Sequence, residues 1–366
     1  MHGRLAGVQR SANFALPVQR SLAGNKLLKY NAKRLAVAHK YISVIVVAYN
    51  RRKYILQAVR SALQQTLPKD LYEVIVVKNF RDEIIDRKLE EWKVANIHSE
   101  QSSQGGKIYE GIRAAEGEVI SILDDDDEFL PNRLSVLYRA FSQGACYFHN
   151  GKIIIDEMGK EIGRDSYISF TIHDYNDFQK YLRIFQKKAF FHNTSSAAIR
   201  KSIINIAILK KIKLSADSFL FLSAIEQSYL VKGGCHIIFD GAALTKYRVH
   251  APGSFEGEIA RLAKAIQMYV DDESLMLKHA EGALRQLIIY MLIRDKLSLR
   301  AIPRMLLQSD PPYLSPRELS HWLGFMPVWY RSINLWGVTI AQVLPDTLKL
   351  KALQLKYKRE KSSTLK

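Results

Sequence analysis

Cysteine is scarce: two residues in 366, Cys146 and Cys235, each in apolar surroundings (GACYF, GGCHI). Neither sits in a CxxC pair. A disulfide framework and a paired-thiolate metal site are both excluded, and two reduced thiols in the cytoplasm are expected. Long apolar runs are also missing. A spanning helix needs about 20 consecutive apolar residues. The nearest stretch, 322–345, is interrupted by Pro327, Arg331 and Asn334. Residues 1–40 lack the continuous apolar core of a secretory signal. No glycine-rich loop is followed by Lys-Ser or Lys-Thr, so Gly105-Gly106 reads as a helix-entry turn rather than a phosphate cradle. No internal repeat is present. Without an aromatic RNA-binding signature or a helix-turn-helix pattern, nucleic acid is not the expected partner.

Acid is scarce at both ends. The net charge is +18, of which residues 1–40 carry +8 and residues 347–366 carry +6. Residues 41–150 hold 14 basic and 16 acidic side chains, so the part that looks catalytic is near neutral. The basic ends make an anionic membrane surface a candidate partner, which would place the chain peripherally on the cytoplasmic membrane face.

What is present is a series of short β-branched runs separated by amphipathic stretches. YISVIVVAY (41–49), YEVIVV (72–77), NIHSE (96–100) and EVISIL (118–123) read as strands. Residues 53–65, 82–94 and 105–117 read as helices, the last closed by Gly117. Continuous apolar strands alternating with helices indicate parallel βαβ units, whose ligands bind beyond the carboxyl ends of the strands. Further on, 145–156 reads as a hairpin around Asn150-Gly151, and 235–250 as two strands. Residues 196–209 run from strand into helix, and 215–230 are a helix with Ser215 as its N-cap. Beyond 257 helices are expected at 257–277, 280–295 and 298–308, then in pieces over 315–345.

The aspartates of VISILDDDDEFLPNRL follow directly on the fourth strand. A phosphoryl-transfer pair of the DxDx(T/V) type would have Thr or Val where Glu128 stands. A calcium loop would space its acids around a glycine. A plain solvated loop seldom crowds five acids against a buried strand, because neighbouring carboxylates repel. A divalent cation relieves that repulsion. Hard oxygen ligands without nearby Cys or His favour Mg²⁺ or Mn²⁺ carrying a diphosphate.

The blocks SVIVVAYNRRKYILQAVRSALQQTLPKDLYEVIVVKN, GIRAAEGEVISILDDDDEFLP, SADSFLFLSAIEQ and YRVHAPGSF, in this order and spacing, resemble an inverting family-2 glycosyltransferase over about residues 41–255. The resemblance implies an α/β GT-A fold: a Rossmann-like, mostly parallel central sheet flanked by helices. Here a C-terminal all-helical region follows. Residues 1–40 would be a basic extension and 41–140 the nucleotide-binding half. Residues 141–255 would be the acceptor half, 256–345 the helical region, and 346–366 a basic amphipathic tail. The family's DxD motif falls on Asp124, facing the nucleotide, and Asp126, facing the metal. Asp125 stands at a spacer position among the nucleotide-side residues, Asp127 is a supporting acid, and Glu128 a solvated start to the next helix. Ala48, Tyr49 and Asn50, with Arg51 or Arg52, frame the nucleotide, Arg52 being the residue assigned. Asn79 and Lys107 join them.

The resemblance makes Asp217 the general base, its alternative being a helix cap with Ser215. His250, in the YRxH motif, completes the metal or diphosphate site, its alternative being a loop histidine. The implied cofactor is Mn²⁺ or Mg²⁺, and the implied partners are a nucleotide-sugar donor and a glycan or lipid-linked acceptor. The Q-x-x-R-W motif of processive members is missing, so transfer of one sugar is expected. Where the family carries an acidic pair after the second strand, this chain has Lys78 and Asn79, which leaves the donor nucleotide open. A non-catalytic nucleotide-sugar binder and a basic nucleic-acid binder are the competing readings.

Trp322, Trp329 and Trp336 recur every seven residues and would share a helix face. They suit a membrane-interface segment, a helical cap packed on the catalytic domain, or a dimer face.

Overall fold

The computed structural model describes residues 40–187, 191–230, 235–251, 253–307, 310–325, 339–342 and 344–364. The basic extension, Pro327, Trp329 and Trp336 lie outside them.

The expected parallel half is present. Strands β1 (Ile42–Ala48), β2 (Tyr72–Lys78), β3 (Ala95–His98) and β4 (Val119–Asp124) are adjacent in the order β3-β2-β1-β4. β1 is buried along its whole length, as a strand covered on both faces must be. Its side chains alternate. Ile45 and Val47 enter one core with Ile108 and Ile112 of helix Gln104–Ala114. Val44, Val46 and Ala48 enter the other with Ile55 and Val59 of helix Ile55–Leu63. Ala48 is in register with Lys78, and Val47 with Asp124. The carboxyl ends of β1, β2 and β4 therefore share one edge, and the segments after them start side by side.

The second half departs from expectation at two glycines. Residues 145–156 form no hairpin: β6 (Ala145–Ile155) runs straight through Asn150-Gly151. Likewise 235–250 holds a single strand, β10 (His236–Arg248), parallel to β6 with register shifts between Asp240 and Thr245. A Cβ on Gly151 would lie 2.7 Å from the Gly241 carbonyl oxygen, and one on Gly241 1.7 Å from that of Tyr167. These glycines allow close backbone approach at a bend inside a strand, not a chain reversal. Around them β4 pairs antiparallel with β9 (Ala197–Arg200), β9 with β6, and β10 with the short β5 (Glu128–Phe129). Strands β7 (Glu161–Asp165) and β8 (Phe170–Ile172) pair with β6 and β10. The sheet is mixed, its nucleotide half parallel.

The pairing of β6 with β10 has a covalent consequence. Ala145 is in register with His236, which brings Cys146 and Cys235, 89 residues apart, to a Cα separation of 5.1 Å as a buried disulfide. The expectation of two free thiols is corrected: a long-range register that no local pattern encodes joins them.

The C-terminal region is helical and packed on the catalytic half. Helix Phe255–Leu277 precedes helix Gly282–Arg300, which is one element where two were expected; it ends shortly before Pro303. Leu284, Leu287 and Ile288 join the core that holds Ile45 and Leu220. Trp322 is buried and stacks on Tyr290, with ring centroids 5.9 Å apart, so it is a packing residue. The tail forms helix Asp346–Thr364, whose leucines fall on two opposite sides, Leu348 with Leu355 and Leu350 with Leu353, instead of making one apolar face. Leu353 packs inward while Leu348 and Leu355 are exposed. Among the described residues no helix is long and apolar enough to cross a membrane.

Candidate active site

A cavity of about 970 Å³ opens at the shared strand edge. Tyr49, Arg51, Lys107, Asp124, Asp125, Asp126, Tyr247 and His250 line its polar end. Ala260, Ala263, Met268, Leu306 and Leu307, from the helical region and the segment after it, line an apolar wall.

The aspartate run is held as a tight turn, with the Asp127 N–H donating to the Asp124 carbonyl at 3.2 Å. Arg248, buried, is its clamp. Its N–H donates to Asp127 Oδ1, its Nε to the Asp126 carbonyl (both 2.9 Å), and its Nη2 to Glu128 Oε1 at 2.9 Å. Glu128 is therefore no solvated helix start: it lies in β5, paired with Arg248 and Lys246. Burial, reinforced by Asp126, pushes the Asp124 carboxyl up to about 7. Burial does the same to Asp125, also to about 7, although Arg51 opposes it. Asp127 is pushed well above the usual carboxylate range, by burial first and then by Asp124 and Asp126. The site disfavours its own full ionisation and calls for positive charge.

Part of that charge comes from Arg51. Its Nη2 is 2.9 Å from Asp125 Oδ1, its Nη1 contacts Asp126 Oδ2, and the same Nη1 is 3.0 Å from His250 Nε2. His250 Nε2 lies 2.7 Å from Asp126 Oδ2. Arg52 points elsewhere, to Asp82 at 3.3 Å and over the Phe80 ring, and does not line the cavity. Neighbouring residues leaving a strand end face opposite ways, and sequence alone does not tell which of the two faces inward.

Other assigned residues divide in the same way. Tyr49 is half exposed at the cavity and carries the Lys107 ammonium over its ring at 4.4 Å. Lys107 is buried, which lowers its pKa against the opposing charge of Glu110. Ala48 lies in the core. Asn50, with φ 55°, donates its N–H to Asn79 Oδ1 at 2.8 Å, and Asn79 Nδ2 donates back to Asn50 Oδ1 at 2.9 Å. That clasp fixes the strand ends and does not line the cavity. Lys78 is buried and paired with Asp86 at 2.7 Å.

Asp217 lies in the first turn of helix Ala216–Leu230. Ser215 does not cap that helix through its hydroxyl, which instead donates to Asp272 at 2.8 Å. Asp217 Oδ2 accepts the Asn193 N–H at 2.8 Å, and the next residue, Thr194, donates its hydroxyl to Asp124 Oδ2 at 3.0 Å. One short strip thus ties the lone acid to the aspartate run, and the Asp217 charge contributes to raising the Asp124 pKa. Asn193, at φ 101°, is held in a conformation that non-glycine residues rarely adopt. Asn193 and Thr194 lie in no motif, and Arg248 lies in the YRxH motif but had no role assigned to it. The polar run NTSS before buried AAI was the available signal.

Among the described residues no group of three His, Cys, Asp or Glu side chains is placed to hold a metal ion. Asp126 and His250 would supply two ligands of mixed oxygen and nitrogen type. That set fits a divalent ion whose remaining ligands come from a bound diphosphate and water.

Residues 43–206 match the model of Glycosyl transferase family 2. An uncharacterized glycosyltransferase of Rickettsia bellii is 28% identical over 158 residues, 41% of this chain and 22% of that protein. A GalNAc(5)-diNAcBac-PP-undecaprenol beta-1,3-glucosyltransferase of Campylobacter jejuni is 28% identical over 141 residues, 35% of this chain and 45% of that one. The matched stretches thus span less than half the length of these relatives. Residues 1–349 of S. aureus TarS, in complex with UDP, superpose with a TM-score of 0.52 at 16% identity, covering 87% of this chain and 92% of that one. At that identity the likeness speaks for the fold. Residues 43–206, a little under half of the chain, thus match glycosyl transferase family 2, and the fold is of the GT-A type.

Proposed function

We propose that this chain is an inverting glycosyltransferase that moves one sugar from a nucleotide-diphosphate donor to a hydroxyl of a glycan or lipid-linked acceptor. The observation that carries the reading is the strip Asn193-Thr194, which ties Asp217 to Asp124; Asp124 lines the cavity, and Asp217 stands behind that lining. The fold of a UDP-bound neighbour and a relative whose name includes a polyprenyl diphosphate support the choice of donor and acceptor classes.

In this reading Asp124 and Tyr49 hold the nucleoside, with Lys107 behind the Tyr49 ring. Asp126 and His250 would hold Mn²⁺ or Mg²⁺, which when bound supplies positive charge against the leaving diphosphate. Asp217 takes the proton of the acceptor hydroxyl. The acceptor oxygen bonds to the anomeric carbon as the bond from that carbon to the diphosphate oxygen breaks, and the nucleoside diphosphate leaves with the electron pair. The basic tail helix offers an outward face with Leu348, Lys351 and Leu355, which suits an anionic membrane surface close to a lipid-linked acceptor.

The test is a transfer assay with UDP-, GDP- and dTDP-sugars, with and without Mn²⁺, paired with Asp217→Asn. A general base contributes about 10²–10⁴-fold. Loss of that size with nucleotide binding retained is the expected result. A fully active variant removes Asp217 from the role, and nucleotide binding without turnover of any donor removes the enzyme reading.

A further inference from the structure

Arg51 occupies the place that the cation would need. Asp126 and His250 approach each other through Asp126 Oδ2 and His250 Nε2, the pair of atoms that a shared divalent ion would bridge most directly. Those two atoms lie 2.7 Å apart, and Arg51 Nη1 contacts both, at 3.0 Å from the imidazole nitrogen. A guanidinium and a divalent cation repel and cannot both sit against one carboxylate oxygen and one imidazole nitrogen.

The other arm of the fork is anchored. Nη2 pairs with Asp125 Oδ1 at 2.9 Å, and Asp125 is 1% exposed while the Arg51 side chain is 41% exposed. One end of the contact is fixed in the protein and the other faces the cavity. Asp125, expected as a spacer, has a definite task here: it is the buried counter-ion of Arg51. The planar guanidinium can rotate about that hinge, and its freed N–H groups match the oxygens of a phosphate in bidentate fashion.

We propose that Arg51 is a resident cation that latches Asp126 and His250 in the ligand-free protein, and that it turns, hinged on Asp125, onto the donor's diphosphate when the metal–nucleotide complex enters. Free metal is then held off the site, while metal with nucleotide is admitted, because the nucleotide gives Arg51 a new partner. The proposal rests on the assignment of Asp126 and His250 to the metal, but its test needs no sugar transfer.

Binding of Mn²⁺ alone to the full chain is titrated by electron paramagnetic resonance, after chelator treatment, for the native sequence, Arg51→Met and Arg51→Gln. Circular dichroism melts confirm that each is folded, and either neutral variant suffices. The latch predicts Mn²⁺ affinity at least about fivefold higher in the neutral variants, because a repelling charge has left the site. Adding Asp126→Asn should abolish the gain. Affinity that is unchanged or weaker without Arg51 overturns the latch. In a second arm UDP is the probe. UDP should tighten Mn²⁺ binding more in the native chain than in Arg51→Met, since only the native chain has the freed guanidinium to place on the phosphates. UDP binding that is equal in chelator and in Mn²⁺, with no metal gain in the variants, overturns the proposal in favour of Arg51 as a permanent stand-in for the metal. A chain that transfers no sugar but shows the metal gain keeps the latch and loses the glycosyltransferase reading.

Discussion

At the scale of the residue, the aspartate run is not one feature but five environments. Asp124 bonds Thr194, Asp125 holds Arg51, Asp126 meets His250, Asp127 accepts from the Arg248 N–H, and Glu128 pairs with Arg248 and Lys246. The position of the run after a buried strand was legible in the sequence. The partners were not, because Arg51, Thr194 and Arg248 lie 73, 70 and 124 positions from Asp124 and approach only when β1 and β9 pair with β4 and β10 joins the same sheet. A buried histidine near the acceptor half offers a test of the packing. His149 is 2% exposed, with Nδ1 3.0 Å from the Tyr167 hydroxyl. Burial, aided by the Lys152 charge, depresses its pKa to about 3. Its unfolded value lies near 6.5. The unfolded chain therefore binds a proton that the folded chain refuses, and stability falls as pH drops below about 6.5, by about 1.4 kcal/mol per unit. His149→Gln does not titrate. The stability of the native chain relative to this variant should fall by roughly 2 kcal/mol between about pH 7.5 and pH 5, measured by urea unfolding at both values. A gap independent of pH would mean that His149 titrates normally in the fold.

At the scale of the element, glycine was the least reliable guide. Gly151 suggested a turn and, like Gly241, is a point of close approach within a strand. Gly105, where a helix entry is expected, lies in the first turn of helix Gln104–Ala114. The N–H groups of Gln104 and Gly105 donate to the carbonyls of Lys213 and Ile212 at 3.0 and 3.1 Å, so they are not offered to a phosphate. A Cβ on Gly105 would lie 2.1 Å from the Leu209 carbonyl oxygen and 2.7 Å from that of Ile212. Backbone cannot yield as a side-chain end can. Gly105→Ala should cost about 1–3 kcal/mol in urea unfolding, whereas Gly324→Ala, whose Cβ meets open space, should be neutral or slightly stabilising. Equal effects would show that the loop at 209–213 is loosely packed against the helix.

At the scale of the whole molecule, the helical region is part of the site's architecture. Asp272 accepts the N–H groups of Lys213, Leu214 and Ser215, which lead into the helix carrying Asp217. Ala260, Ala263 and Met268, from the helix that carries Asp272, line the cavity. The charge asymmetry adds a second prediction. The outward face of the tail helix combines exposed Leu348 and Leu355 with Lys351. It should bind vesicles containing phosphatidylglycerol and not pure phosphatidylcholine, weakening several-fold with Lys351→Glu or with added salt. Co-sedimentation measures this, and equal binding to neutral vesicles would assign the attraction to something other than charge.

The sequence by itself determined the parallel half. Its information is local: continuous β-branched runs, helical spacing between them, and acids placed just past a strand that must be buried on both faces. Tertiary structure alone decided which of Arg51 and Arg52 faces the cavity, that β6 and β10 run unbroken, that Cys146 meets Cys235, and that Trp322 is buried against Tyr290. Each depends on partners far away in the chain. A local pattern fixes which residues want to be buried, but only the register and packing of distant segments fix against what.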